Sequence, residues 1–320
     1  KVGNGMRKLM ERSLPENHRT DEEIEKYAKC EDVQLIVPFY DEVDDVDAVP
    51  AEQTQIAVDS VVGTKSSQYN SGSGYRGTGV KVGIIEGNNG QYYSTAPQLS
   101  SIDGENLIYL GNVSGSSQTN TKPGLEHHAT FVTSLIVGQE YTVDGCTYEG
   151  VVPNATVYQI GISTVSNVIR AFETLVDDYN VSVINYSGGY SGNGSQYDYS
   201  YDGVIDKLIE NTGVTFVKSS GNTAGAVTSP GKAYNAITVG NLWSKDYLDD
   251  AGWHYVTSEY KNNFQIQGVS SYQEASYIAN KPDVVAPGSG INIPLSSSET
   301  EHDTGTSYSA PLVTGIVAQL

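Results

Sequence analysis

Residues 305–315 read Gly-Thr-Ser-Tyr-Ser-Ala-Pro-Leu-Val-Thr-Gly, and they carry the strongest structural signal in this 320-residue chain. Small residues flank Ser307, and an apolar run follows Pro311, so we expect the serine at the amino end of a helix. Small neighbours let another backbone approach the hydroxyl, and a helix amino end favours negative charge that develops beside it. A serine that merely caps a helix needs none of these further residues. The stretch therefore indicates a reactive hydroxyl.

Upstream of this stretch, short runs rich in Val and Ile alternate with helical patterns. The predicted strands are residues 80–86, 156–162, 181–187, 213–219 and 236–240, and the predicted helices are residues 128–137, 165–178 and 202–211. Buried parallel strands have this composition, and strands separated by helices form βαβ units with right-handed crossovers. We therefore predict an α/β fold with a mostly parallel sheet, in which the loops that follow strands carry the chemistry.

The charge of the chain excludes some partners. It has 18 basic and 38 acidic residues, which give a formal charge of −20. Such acidity repels phosphate backbones and anionic lipids, so we expect neither nucleic acid nor a membrane as partner. Residues 1–50 hold seven basic and thirteen acidic side chains. We predict that they form a charged N-terminal extension or the remnant of a prosegment, and that residues 51–320 form the main domain.

Several other kinds of site are not supported by the sequence. Two cysteines, Cys30 and Cys146, allow one disulfide or two free thiols, and no Cys/His spacing typical of a metal site occurs. The chain has no Gly-x-Ser-x-Gly elbow of an α/β-hydrolase and no His-Glu-x-x-His zinc motif. An esterase of the α/β-hydrolase type and a metalloprotease are therefore disfavoured.

Residues 305–315 resemble the nucleophile motif of the subtilisin-like serine proteases, the subtilases, and this resemblance implies that Ser307 is the nucleophile. Residues 128–134, His-Ala-Thr-Phe-Val-Thr-Ser, resemble the family's histidine motif and imply His128 as general base. The neighbouring His127 is the alternative. Ala129 and Phe131 depart from the family pattern, which has Gly and a second His at these positions.

The acid of the triad is the largest departure. Residues 79–87, Gly-Val-Lys-Val-Gly-Ile-Ile-Glu-Gly, resemble the family's first strand, but Glu86 stands where Asp is usual, and Gly87 replaces a hydroxyl residue. A glutamate can accept the hydrogen bond of the imidazole, although its side chain is one methylene longer. Asp103, in a loop without the motif, is the alternative acid. The resemblance therefore implies a Glu-His-Ser variant of the triad.

Two further segments imply an oxyanion donor and a substrate pocket. Residues 213–222 resemble the family's strand that ends in Ala-Ala-Gly-Asn, which implies that Asn222 stabilises the oxyanion together with the Ser307 N–H. Residues 183–189 resemble the strand that pairs with the peptide backbone. On this match the first specificity pocket has one wall of Ser187, Gly188 and Gly189 and another of Ser219, Ser220 and Gly221.

The resemblance, which runs from about residue 77 to the end, implies a subtilisin-like, doubly wound sheet with helices on both faces. It also implies a serine endopeptidase that cleaves polypeptides through an acyl-enzyme and needs no cofactor. A catalytically silent binding or regulatory module is the alternative. We expect a possible prosegment or inhibitor in the cleft, no assigned metal ligands although structural calcium is allowed, and a secreted or cell-surface location without a signal peptide in this chain. Because the chain stops thirteen positions after Ser307, we expect the catalytic domain to be truncated.

Overall fold

The computed structural model describes residues 76–320 except 88–89, 115–116, 120–126, 144–145, 192–193, 195, 245–263, 267–269, 273–279 and 298. The chain divides into two units, Lys1–Asp47 and Ala48–Leu320, and all elements below belong to the second. The predicted extension over residues 1–50, with Cys30, lies outside the described residues. Its nature therefore stays a prediction.

The described part contains thirteen strands and five helices. The strands are β1 (Lys81–Glu86), β2 (Leu107–Ser114), β3 (Ser117–Thr119), β4 (Tyr141–Val143), β5 (Cys146–Tyr148), β6 (Thr156–Ile162), β7 (Val183–Tyr186), β8 (Thr215–Ser219), β9 (Ile237–Ser244), β10 (Phe264–Ile266), β11 (Val284–Pro287), β12 (Ile291–Ser296) and β13 (Glu299–Asp303). The helices are α1 (Pro97–Ser100), α2 (His127–Val137), α3 (Asn167–Asp177), α4 (Asp202–Thr212) and α5 (Thr306–Gln319). No helix of this part of the chain is long and apolar enough to cross a bilayer.

One large sheet organises these elements. Its strand order is β10-β9-β8-β7-β1-β6-β2-β3, and β11 pairs with β9. Seven of the nine strands run parallel, while β3 and β10 join the two ends of this order in antiparallel pairs. The pairs β4–β5 and β12–β13 form separate two-stranded sheets. The prediction of a mostly parallel sheet is therefore confirmed.

Two apolar cores cover the two faces of the sheet. Successive side chains of a strand point to opposite faces, and in β1 Ile84 packs in the core beneath α2 and α5, whereas Ile85 packs beneath α3 and α4. Gly83 keeps this second face close to its helix, because a Cβ there would lie 2.9 Å from a methyl carbon of Leu175 on α3. The sheet is thus doubly wound, with helices on both faces, as the sequence predicts.

This architecture gathers the functional candidates at one edge. Because β1, β7 and β8 are parallel, their carboxyl ends lie along the same edge of the sheet. Glu86 is the last residue of β1, and Ser187 and Ser220 directly follow β7 and β8. Ligands of open α/β sheets bind beyond this edge, so the fold directs attention to the groups assembled there.

Candidate active site

Glu86 and His128 form a hydrogen-bonded pair at the end of β1. Glu86 Oε2 lies 2.9 Å from His128 Nδ1, and the two side chains are 3% and 38% exposed, respectively. The extra methylene of glutamate therefore still allows an ordinary hydrogen bond to the imidazole. The second carboxylate oxygen, Oε1, is buried and has no hydrogen-bond partner among the described residues. Within that part of the chain, the hydrogen bonding of this carboxylate is directed at His128.

An aromatic layer supports the His128 ring. The centroid of the Tyr308 ring lies 5.7 Å from that of His128 and 5.1 Å from that of Phe131. Tyr308 is anchored through its hydroxyl, which donates to Asp303 Oδ2 at 2.6 Å. Burial and the hydrogen bond to Asp303 raise the pKa of Tyr308, so the phenol stays protonated and keeps this bond. Phe131, one of the two departures in the histidine motif, thus helps to build the layer against which the imidazole packs.

Ser307 is the second residue of α5, and a hydrogen-bond network ties it to the end of β7. Ser187 Oγ donates to the Ser307 carbonyl at 2.7 Å, and Ser307 Oγ lies 3.4 Å from the Ser187 carbonyl. The buried Asn185 amide donates to Ser187 Oγ at 3.0 Å. Its carbonyl oxygen accepts from Thr314 Oγ1, about two turns after Ser307 on α5, at 3.0 Å. These bonds fix the first turn of the helix against the edge of the sheet. In a first helical turn the backbone N–H groups have no intrahelical acceptors. The first turn of α5 can therefore donate backbone hydrogen bonds to a ligand.

Asn222 is held in one orientation by the residue that precedes the serine. Its Oδ1 accepts from the Thr306 N–H at 2.9 Å and from Thr306 Oγ1 at 3.0 Å. With the carbonyl end of the amide engaged, the NH₂ end is the one that can donate to a ligand. A Cβ on Gly305 would lie 3.1 Å from Asn222 Nδ2, so the glycine leaves room beside that donor. The exposed Asn222 side chain is therefore a preoriented hydrogen-bond donor beside Ser307.

The six residues predicted to line a pocket lie on two segments, and the side chain of Thr228 contacts both of them. Thr228 N donates to the Ser220 carbonyl at 3.0 Å, and Thr228 Cγ2 would be 3.1 Å from a Cβ on Gly221. On the other side, a Cβ on Gly189 would overlap Thr228 Oγ1, and a Cβ on Gly188 would lie 2.8 Å from the Tyr186 ring. The glycines thus let both segments pack closely against their neighbours, and Thr228 contacts Gly189 on one segment and Gly221 on the other.

The two alternative residues are engaged elsewhere. His127 is exposed, pairs with Glu301 and makes an edge contact with the Tyr93 ring at 5.3 Å. Asp103 accepts a hydrogen bond of 2.6 Å from the Tyr92 hydroxyl. The partner of His127 is thus a carboxylate on β13 and that of Asp103 is a phenol, so neither residue takes part in the Glu86–His128 pair.

Sequence reasoning missed several supporting residues. Thr306 and Tyr308 flank Ser307 in the motif, but the sequence does not reveal that one holds the Asn222 amide while the other packs against His128. Lys218 was also missed, although a charged residue within the apolar run of β8 is a visible signal. As for metal ligands, the described residues contain no group of three or more His, Cys, Asp or Glu side chains that could hold an ion. Structural calcium stays a prediction.

Comparisons with known proteins identify the family. The model of the subtilase family, Peptidase S8, matches residues 77–320. Subtilisin NAT of Bacillus subtilis subsp. natto and subtilisin J of Geobacillus stearothermophilus are each 26% identical to this chain over 255 residues, which cover 77% of the chain. These matches span 56% of each of the two subtilisins, so the chain corresponds to little more than half of their length.

Solved structures share the fold. The prenylagaramide maturation protease PagA superposes with a TM-score of 0.56 and 20% identity, covering 80% of this chain and 78% of its own. A cold-adapted subtilisin-like serine proteinase superposes with a TM-score of 0.54 and 20% identity, covering 77% and 76%, respectively. With a family model matched over 244 residues and the motifs in the family's order, the chain belongs to the subtilase family.

Proposed function

We propose that this chain is the catalytic part of a serine endopeptidase with a Glu-His-Ser triad. The observation that carries the proposal is the 2.9 Å hydrogen bond between Glu86 and His128 Nδ1, in a chain whose helix α5 has Ser307 as its second residue. Because Nδ1 faces the carboxylate, the proton sits on that nitrogen and Nε2 is left with a lone pair. A neutral imidazole in this tautomer is the base that a serine hydroxyl needs.

The proposed reaction proceeds in two halves. Ser307 Oγ attacks the scissile carbonyl carbon while His128 Nε2 takes the hydroxyl proton, and Glu86 stabilises the resulting imidazolium. The carbonyl oxygen becomes an oxyanion, which accepts from Asn222 Nδ2 and the Ser307 N–H. The C–N bond then breaks, and His128 gives its proton to the leaving amine. Water, activated by the same base, hydrolyses the ester to Ser307 and restores the serine.

The substrate proposed is an extended polypeptide. Main-chain pairing with an exposed strand tolerates many sequences and leaves specificity to side-chain pockets. We assign the first pocket to the groove between the walls formed by Ser187, Gly188 and Gly189 and by Ser219, Ser220 and Gly221. An inhibitory prosegment occupying the same groove, structural calcium, and a secreted or cell-surface location belong to this proposal as expectations.

A serine-directed phosphonate tests the function. A biotinylated diphenyl phosphonate should form a covalent adduct on Ser307, because only an activated serine displaces its leaving group at an appreciable rate. Peptide mapping by mass spectrometry locates the adduct, and the Ser307→Ala variant is the negative control. An adduct that maps to another serine, or labelling that survives in Ser307→Ala, would contradict the assignment.

Removing the Asn222 amide should slow the chemical step without weakening substrate binding. The amide donates to an oxygen that carries full charge only in the transition state, so we expect Asn222→Ala to lower kcat by about 100- to 1,000-fold with KM little changed. Steady-state kinetics on a chromogenic peptide measure both constants. Thr306→Val, which removes one of the two bonds that hold the amide, should give a smaller loss of kcat. A loss confined to KM in Asn222→Ala would contradict the oxyanion role.

A further inference from the structure

Lys218 is a buried amine that the proposed reaction does not use. It lies in β8 between Val217 and Ser219 and is fully buried. Its register partner on β7 is Tyr186, and the Lys218 Nζ atom lies 6.0 Å from the centroid of that ring. A buried ammonium costs several kcal/mol unless it is paired. Its presence at this edge of the sheet therefore calls for a functional reason.

The hydrogen bonds of Lys218 leave part of its donor capacity unused within the described residues. Nζ donates to the Ser219 carbonyl and, at 2.6 Å, to Thr228 Oγ1. These are its acceptors in the described part of the chain, where it also forms no ion pair, and an ammonium has three N–H donors. Asp202, the acidic side chain that acts on it electrostatically, is itself bonded to the Ser229 hydroxyl at 2.9 Å. The buried positive charge has therefore no directly bonded carboxylate in this part of the chain.

The amine lies against the proposed first pocket. A Cβ on the exposed Gly189 would stand 2.7 Å from Lys218 Nζ. The amine therefore lies directly beside the Gly189 backbone, at a distance that only a glycine allows. Thr228 is half-buried and packs against Gly189 and Gly221 on the two walls. Its hydroxyl accepts from Lys218 and donates to the Ser220 carbonyl at 3.3 Å. This long bond is weak, so the hydroxyl can turn toward a better acceptor in the groove.

We propose that Lys218, acting with Thr228, makes this pocket select peptides with glutamate or aspartate immediately before the scissile bond. This proposal rests on the proposed function for the location of the pocket. The substrate carboxylate accepts from the Thr228 hydroxyl, which accepts in turn from the Lys218 ammonium. The carboxylate also supplies the negative charge that the buried ammonium lacks at close range, and in a poorly solvated site such pairing is stronger than in water. A neutral side chain of the same shape leaves the ammonium unpaired.

The preference should depend on pH because the amine titrates near neutrality. The pKa of Lys218 is lowered to about 7, mainly by burial; Asp202 on α4 opposes this shift, and Lys232 contributes to it. Tyr186 on β7 also faces the amine, and burial raises the pKa of that phenol, so it stays neutral. Lys218 is therefore charged below pH 7 and neutral well above it. A glutamate substrate is ionised from about pH 5 upward, so selectivity should be greatest between pH 5 and 7 and decline as pH rises.

Matched peptides that differ only at the residue before the scissile bond test the proposal. We expect kcat/KM for Glu to exceed that for its neutral isostere Gln by about 10- to 100-fold at pH 6, the range of a charge-assisted hydrogen bond. The ratio should fall toward unity at pH 9. Because both peptides are cleaved by the same triad at the same pH, the titration of His128 cancels from the ratio.

Three substitutions separate the pocket charge from a structural role. Lys218→Met keeps the length of the side chain and should abolish or reverse the preference for Glu over Gln, and Thr228→Val should weaken it. The matched control is Lys232→Met. Lys232 is also buried and also close to Asp202, but its Nζ donates to the Gly194 carbonyl instead of reaching the groove. It should retain the preference at pH 6.

Binding to the inactive Ser307→Ala variant distinguishes a failure of this inference from a failure of the proposed function. Fluorescence anisotropy of the same peptides should show tighter binding of Glu than of Gln, and Lys218→Met in that background should remove the difference. Equal binding, or cleavage of the neutral peptides at the same rate as Glu at pH 6, would overturn the proposal. Absence of cleavage by the unsubstituted chain together with selective binding of Glu would instead reject the peptidase function, while the preference of the pocket for acidic side chains would stand. If Lys218→Met does not fold, Thr228→Val and the pH dependence of the unsubstituted chain decide.

Discussion

Replacing Ser307 with alanine is expected to lower kcat for peptide cleavage by about a million-fold. The loss is this large because the covalent pathway disappears altogether, and the donors that remain can assist only a direct attack by water. Ser307 lies in the first turn of α5, hydrogen-bonded through its carbonyl to Ser187, so the substitution removes one oxygen atom without disturbing these backbone contacts. Cleavage of a fluorogenic peptide measures the change, with the variant's concentration taken from its absorbance.

The histidine should behave as part of the same unit. His128→Ala should have about the same residual kcat as Ser307→Ala. The double variant should be no slower than either single variant, because neither residue works without the other. Ser309→Ala is the matched control, since Ser309 is a buried serine on the same helix whose hydroxyl has no hydrogen-bond partner among the described residues. It should retain activity. Additive losses in the double variant would show that the two residues act separately.

The architecture was predictable where buried strands carry their own signal. The strand predicted over residues 156–162 is observed without change as β6, which is mostly buried between β1 and β2. The strand predicted over residues 236–240 instead continues to Ser244, since β10 and β11 pair along β9. Such extension depends on partners that are distant in the chain. Local pattern therefore predicts that a strand exists but not where it ends.

The sequence predicts the groups to which we assign the chemistry, but not the residues that hold these groups in place. The resemblance to subtilase motifs implies Ser307, His128 and Asn222. The bond from Thr306 to Asn222 spans 84 positions of the chain, and its existence depends on how α5 meets β8. The tilted contact between the Tyr308 and His128 rings likewise arises only when two helices pack together. Contacts between distant segments set orientation, and orientation is what the sequence alone does not provide.

Glu86 provides the second large expected effect. Glu86→Gln should lower kcat about ten-thousand-fold near neutral pH, the size of the effect when the triad carboxylate becomes an amide. The amide can donate to His128 Nδ1, which then favours the tautomer whose proton is on Nε2, and that nitrogen can no longer accept the serine proton. Steady-state kinetics measure the loss. Glu149→Gln is the matched control, because Glu149 pairs with Arg76 and has no contact with the imidazole. It should leave kcat unchanged.

Glu86→Asp then separates an active enzyme from a catalytically silent relative. In the present geometry the carboxylate reaches His128 Nδ1 at 2.9 Å from the end of β1, and one methylene fewer would withdraw it by more than an ångström. A 1 Å displacement of a catalytic group costs about 100-fold, so an enzyme built around glutamate should lose activity on this change. A silent relative would show the opposite, with cleavage that emerges only when the family's usual acid is restored. Because β1 is buried on both faces and cannot easily shift to compensate, we expect the loss.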